Sequence, residues 1–176
     1  MAITKVRGQL LTGVDDNATA SSIVINSDGV VTKPFQPSCR AIGTGAWLTI
    51  TQTTVLPFNA AAHDSGSHFD TSTYEFTCPV AGSYLFTASV YGRLKTGYTG
   101  DNANWWGLMP HRNGSAITST NIMGYQNAGD SDSTATFTTV VFCNASDTLS
   151  LSVRVSSGAQ AEIYQAHMNL SIDLLS

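Results

Sequence analysis

Apolar and polar residues alternate with a period of two along most of this chain, the spacing of strands that bury one face. Tyr74, Phe76 and Cys78 alternate with Glu75 and Thr77. After a break over residues 79–82, Tyr84, Phe86, Ala88 and Val90 alternate with Leu85, Thr87, Ser89 and Tyr91. Phe137, Thr139, Val141 and Cys143 form a third stripe, Leu149, Leu151, Val153 and Val155 a fourth, and Met168, Leu170, Ile172 and Leu174 a fifth. Turn-forming residues cluster between these runs at 59–66, 96–104, 126–133, 144–147 and 156–160. Asn113-Gly114 is the sharpest hairpin signal, because a type I′ turn needs positive φ at both central residues. Residues 159–165 are the one plausible helix. Many short strands at this spacing predict an all-β fold, a sandwich or barrel.

The first 37 residues read differently. Residues 14–22 are polar. Ile23-Val24-Ile25 and Val30-Val31-Thr32 then flank Asn26-Ser27-Asp28-Gly29, a short hairpin closed by Pro34 and Pro37. A lone hairpin is not stable in water, so this arm is expected to pack on the main domain or on another subunit. The division expected is residues 1–37 as an anchoring or oligomerisation arm and 38–176 as the main domain.

Composition narrows the function. Only 20 of the 176 residues are charged, against 20 Ser and 22 Thr, and the net charge is −4. That balance offers no electrostatic footprint for nucleic acid, and no apolar run approaches the ~20 residues of a membrane span. Residues 1–10 carry no apolar core of a secretory leader, so a cytoplasmic site of synthesis is expected. Three cysteines (Cys39, Cys78, Cys143) suit reduced, buried thiols rather than a disulfide framework.

The run from Phe69 to Phe86 holds an aromatic, a short polar turn, Phe76-Thr77-Cys78-Pro79 and then Gly82-Ser83-Tyr84-Leu85-Phe86. It closely resembles the core signature of the complement C1q globular head, which shares its jelly roll with tumour necrosis factor. Leu56-Pro57-Phe58-Asn59, the Asn113-Gly114 hairpin, residues 135–155 with the turn Asn144-Ala145-Ser146-Asp147, and residues 168–175 follow in that family's order. Asp147 stands without the preceding Gly of the family, and no collagen Gly-X-Y stalk precedes the head. The resemblance implies an antiparallel two-sheet jelly-roll sandwich, trimeric and without catalysis. Residues 23–41 are similar to lead-in segments of bacteriophage tail fibres. The implied protein is therefore a virion component assembled in the host cytoplasm, bound to other virion proteins through its arm.

Three sets of residues are candidates for function. The outward faces of the strongest strands carry Leu85, Tyr91, Val140 and Phe142, which a homotrimer would bury. Tyr98, Trp105 and Trp106 beside Asp101, Asn102 and Asn104 combine stacking faces with polar groups, the chemistry of a sugar site and hence of a host glycan. His63, Asp64, His68 and Asp70 lie within eight residues and are ligand types for calcium or another divalent cation, with Asp101, Asp130 and Asp132 as a second set. No cofactor is otherwise implied. No nucleophile elbow, phosphate loop or His-Glu-x-x-His motif is present, and Glu75 and Glu162 make no convincing carboxylate pair, so an enzyme is not expected. The competing readings are a glycan-binding fibre tip, a capsid decoration or fibre subunit without its own ligand, and, least supported, a sugar-degrading enzyme.

Overall fold

The computed structural model describes residues 24–25, 31–32, 36–95, 97, 104–117 and 132–175. The chain divides into two units, residues 1–35 and 36–176. In the first, β1 (Val24–Ile25) and β2 (Val31–Thr32) pair antiparallel, with Ile25 opposite Val31. They fall within the two apolar runs of residues 23–25 and 30–32.

The second unit holds twelve described strands in two antiparallel sheets. They are β3 (Ser38–Ile42), β4 (Trp47–Ile50), β5 (Thr54–Val55), β6 (Ala60–Ser65), β7 (Phe69–Asp70), β8 (Glu75–Thr77), β9 (Gly82–Leu94), β10 (Trp106–Arg112), β11 (Ser115–Ala116), β12 (Ser133–Cys143), β13 (Thr148–Val155) and β14 (Ala161–Leu174). One sheet runs β12-β9-β14-β3-β6, with β4 added beside β14. The other runs β11-β10-β13-β8-β7, with β5 beside β13. No helix occurs among the described residues. The molecule is an all-β jelly-roll sandwich.

The period of two becomes the core directly. Along β9 every second residue from Gly82 to Leu94 is buried. Tyr84, Phe86 and Val90 there meet Phe137 and Val141 of β12, Leu170 and Ile172 of β14, and Phe76 of β8 in one cluster. The rings of Phe86 and Phe137 lie 5.0 Å apart, edge to face, a geometry that adds to simple burial. Tyr84 is fully buried because its hydroxyl donates to the carbonyl of Val80 at 2.8 Å. A buried hydroxyl without such a partner would cost about 1–3 kcal/mol.

Two elements differ from expectation. Residues 59–66, read as a turn cluster, are mostly β6, whose Ala61 and His63 pair with Ala41 and Arg40 of β3. Edge position explains it: Ala60 to Ser65 are exposed or half-buried, so no apolar stripe marks them. The helix expected over 159–165 is instead the start of β14. Ile163 opposes Gly92 while Met168 opposes Val90, so residues 164–167 carry extra length as a bulge. Buried parity therefore switches from odd (Ala161, Ile163) to even (Met168, Leu170, Ile172), and the period of two is hidden across the break. Gly92 makes the crossing possible. A Cβ there would stand 2.5 Å from Cδ1 of Ile163 and 2.9 Å from the Glu162 carbonyl oxygen.

Candidate functional site

The outward face of the sheet containing β12, β9 and β14 divides into three zones. At one end Leu85 sits opposite Val140, and Phe142 is opposite Ser83. Val140 and Phe142 are 56% and 60% exposed, the two most exposed large apolar side chains described. They belong to β12, which ends the sheet among the described strands. Part of its edge is engaged, since Arg112 Nη1 donates to the Phe142 carbonyl at 2.7 Å. The middle zone is a shallow trough of about 270 Å³ lined with short polar side chains, Thr87, Ser89, Thr136 and Thr138 among them. Arg40 crosses it to reach Asn169 Oδ1 at 3.1 Å.

The third zone is aromatic and charged. Trp47, Tyr91, Tyr164 and His167 cluster with ring centroids 4.8–6.5 Å apart. The Arg93 guanidinium lies 4.3 Å over the Trp47 ring, bonds Glu162 at 2.9 Å and approaches Asp132 at 3.6 Å. The Tyr91 hydroxyl donates to Asp132. That bond favours the protonated phenol and raises its pKa, while the Glu162 carboxylate raises that of Arg93. Trp47, Tyr164 and His167 escaped the sequence reading because the bulge at 164–167 and the return of β4 bring them together. Their one signal in the sequence is aromatic residues where the alternation breaks.

The loop chosen for metal chemistry is differently employed. Asp64 accepts the backbone N–H of His68 and of Phe69, one on each carboxylate oxygen, both at 3.0 Å. Asp70 accepts from Ser72 N–H at 2.7 Å and Ser72 Oγ at 2.6 Å, which holds its carboxyl below the usual range. His63 Nε2 meets Ser38 Oγ at 3.0 Å, and the His68 ring stands edge-on to Phe76. The two carboxylates fasten the backbone of this loop. Among the described residues no three His, Cys, Asp or Glu side chains converge as a metal site would require. In the second set, Asp132 is bound to Tyr91 and Arg93, and Asp101 and Asp130 lie outside the described residues.

The sugar-binding reading requires a correction at Trp106. Its side chain is fully buried in the core, where β10 pairs with β13 (Trp106 opposite Val155), so it offers no stacking face. The parity of β10 turns it inward and leaves Trp105 half-buried, with Arg154 5.6 Å over its ring and the Trp105 backbone N–H donating to Ser156 Oγ. Asn104 lies 3.5 Å from the same hydroxyl. Tyr98, Asp101 and Asn102 lie outside the described residues.

The turn at 144–147 is tied to the Asn113-Gly114 hairpin. Asp147 accepts Asn113 Nδ2 at 2.7 Å and the Asn144 N–H at 2.8 Å, while Asn113 Oδ1 accepts the Thr148 N–H at 2.8 Å. Asn113 and Gly114 both have positive φ, as type I′ geometry demands, and Ser146, where the family's pattern has Gly, also does, at 72°. These donors lower the Asp147 pKa, the Asn113 side chain most. A carboxyl lowered in the folded state stabilises fully above its unfolded value and loses that contribution as pH falls through the folded value. Asp147→Asn is therefore expected to lower the urea midpoint at pH 7. The gap from the parent should close as pH drops below 3.8, the ordinary aspartate value. Parallel urea titrations at both pH values check this, and a gap that persists in acid would remove the carboxylate from the account.

A family model, the C1q domain, matches residues 43–171. Eiger TNF from S. frugiperda superposes with a TM-score of 0.54 at 14% identity, covering 80% of this chain and 94% of that one. The globular domain of zebrafish complement 1qA gives 0.54 at 13% identity, with 80% and 98% covered. Murine APRIL at pH 5.0 gives 0.53 at 11% identity, with 80% and 99% covered. No curated protein matches in sequence. At these identities the structural likenesses speak for the fold.

Proposed function

Because the chain belongs to the C1q domain family, we propose that three copies pack around one axis through the outward face of the β12-β9-β14-β3-β6 sheet, as a non-enzymatic head on a bacteriophage particle. The observation that carries the assembly is the exposed apolar end of that face, Val140 and Phe142 beside Leu85. Burying a side chain of this size returns roughly 1.5–3 kcal/mol, and a threefold assembly collects that return from every copy. The same packing covers the edge of β12, the last described strand of that sheet, which would otherwise template pairing with foreign strands. The aromatic zone around Tyr91 lies on the same face and supplies contact area with oriented polar groups.

The phage setting is supported by the low charge, the Ser and Thr richness and the likeness of residues 23–41 to fibre lead-in segments. In that setting the arm of residues 1–37 binds other virion proteins, and the outer loops of the head meet a host-surface glycan. A second reading, a decoration subunit without a ligand of its own, is favoured by the burial of Trp106, which takes one stacking face from the glycan site. Light scattering at micromolar concentration should give three times 18.6 kDa, and a stable monomer would overturn the assembly. Retention on a glycan array by that trimer supports attachment; a trimer that binds no glycan and is seen on the capsid shell of the virion supports decoration.

A further inference from the structure

The two sheets meet at one end of the sandwich around a pair of thiols. Cys78 directly follows β8 in one sheet, and Cys143 ends β12 in the other, opposite Gly82. The backbone of Cys78 is pinned to the turn that Cys143 enters: its N–H donates to the Asp147 carbonyl at 2.8 Å, and its carbonyl accepts the Ser146 N–H at 2.7 Å. Both thiols are free and completely buried, and each lies near enough to influence the other's titration. Cys143 lies on the inward parity of β12, so the pair is separate from the face proposed for assembly. Cys39, the third cysteine, is on β3 near Asp64 and Asp173.

We infer that Cys78 and Cys143 are a redox pair, which a low-molecular-weight disulfide oxidises to a bond that ties the two sheets together. Because the Cys78 backbone is fastened to the turn that follows Cys143, the two strand ends are held together, and their approach brings the sulfurs to the roughly 2.0 Å of an S–S bond. The thiolate of one cysteine attacks a sulfur of the small disulfide and expels one small thiolate. The second cysteine gives up its proton, attacks the mixed disulfide and expels the other. Two protein S–H bonds and one small S–S bond are lost; one protein S–S bond and two small thiols are gained. Burial raises both thiol pKa values above the ordinary range, so exchange in the folded protein proceeds through openings of the 144–147 turn. A chain made under reducing conditions would be latched once it enters oxidising surroundings.

Refolding the full chain in a mixture of reduced and oxidised glutathione gives the oxidant access to every cysteine and tests the pairing. The expected product is lighter by about 2 Da, keeps one titratable thiol, and yields a linked peptide joining Cys78 to Cys143. Closing so long a loop should raise its melting midpoint on the order of 10 °C over the reduced protein. Cys39→Ala should form the same link, whereas Cys78→Ser and Cys143→Ser should form none. A wild-type product with three free thiols, with retained glutathione, or with a link through Cys39 would overturn the pairing. An oxidised product that melts no higher than the reduced one would overturn the latch.

Discussion

Replacing Phe142 by aspartate is expected to split the proposed trimer into monomers at micromolar concentration while leaving each head folded. Phe142 is 60% exposed in the single copy and points away from the core, so a carboxylate there is solvated and the head loses little. In the proposed trimer the same position would be covered. Each copy would then bury a charge with no partner, at a cost of several kcal/mol per site, and the three like charges would face one axis. Against the proposed interface, which a handful of apolar side chains would hold, that cost is decisive. Light scattering reads the mass, and far-ultraviolet circular dichroism reports whether the β fold persists. Val140→Lys provides a second route to the same outcome, since Val140 shares the face and is 56% exposed. If both variants remain folded trimers, the interface lies elsewhere on the molecule.

Tyr84→Ala carries the largest expected effect on the fold itself, a loss of roughly 3–5 kcal/mol, the range for aromatic-to-alanine changes in a core. Tyr84 is completely buried, its ring stands edge-on to Phe76 at 5.9 Å, and it belongs to the longest inward stripe of the structure. Truncation removes the ring from both sheets and orphans the Val80 carbonyl that the hydroxyl now satisfies. Tyr84→Phe separates the two contributions, since it keeps the packing and deletes only the hydrogen bond, for a loss of about 1 kcal/mol. Urea midpoints for the pair measure both. An unchanged midpoint for Tyr84→Ala would place the stripe on the wrong side of β9.

The alternation at 84–91, 137–143 and 168–174 by itself determined the main strands, the buried side of each and the all-β class; along β13 Ser150 and Ser152 are buried as well, so the face read there as wet is covered. A sheet face repeats every two residues, and the repeat survives in the sequence wherever a strand has one wet side. Asn113-Gly114 was equally legible, because few residue pairs tolerate positive φ twice in succession. The outward apolar set Leu85, Val140 and Phe142 could be read for the same reason as the core, being the complementary parity of the same strands.

What only the tertiary structure decided depends on partners distant in sequence. β6 is a strand because β3 lies beside it, and its own residues carry no apolar stripe. The bulge at 164–167 exists because β14 must serve β9 on one side and both β4 and β3 on the other. Once parity slips there, no local pattern brings Trp47, Tyr164 and His167 to Tyr91. His63, Asp64, His68 and Asp70 look like ligands when counted along the chain. In space the two aspartates are engaged by backbone donors of their own loop. The meeting of Cys78 with Cys143 is likewise a product of two sheets closing on one another. Periodicity records which side of a strand is buried; which side chains then touch is settled by strand register and sheet packing, and neither is local.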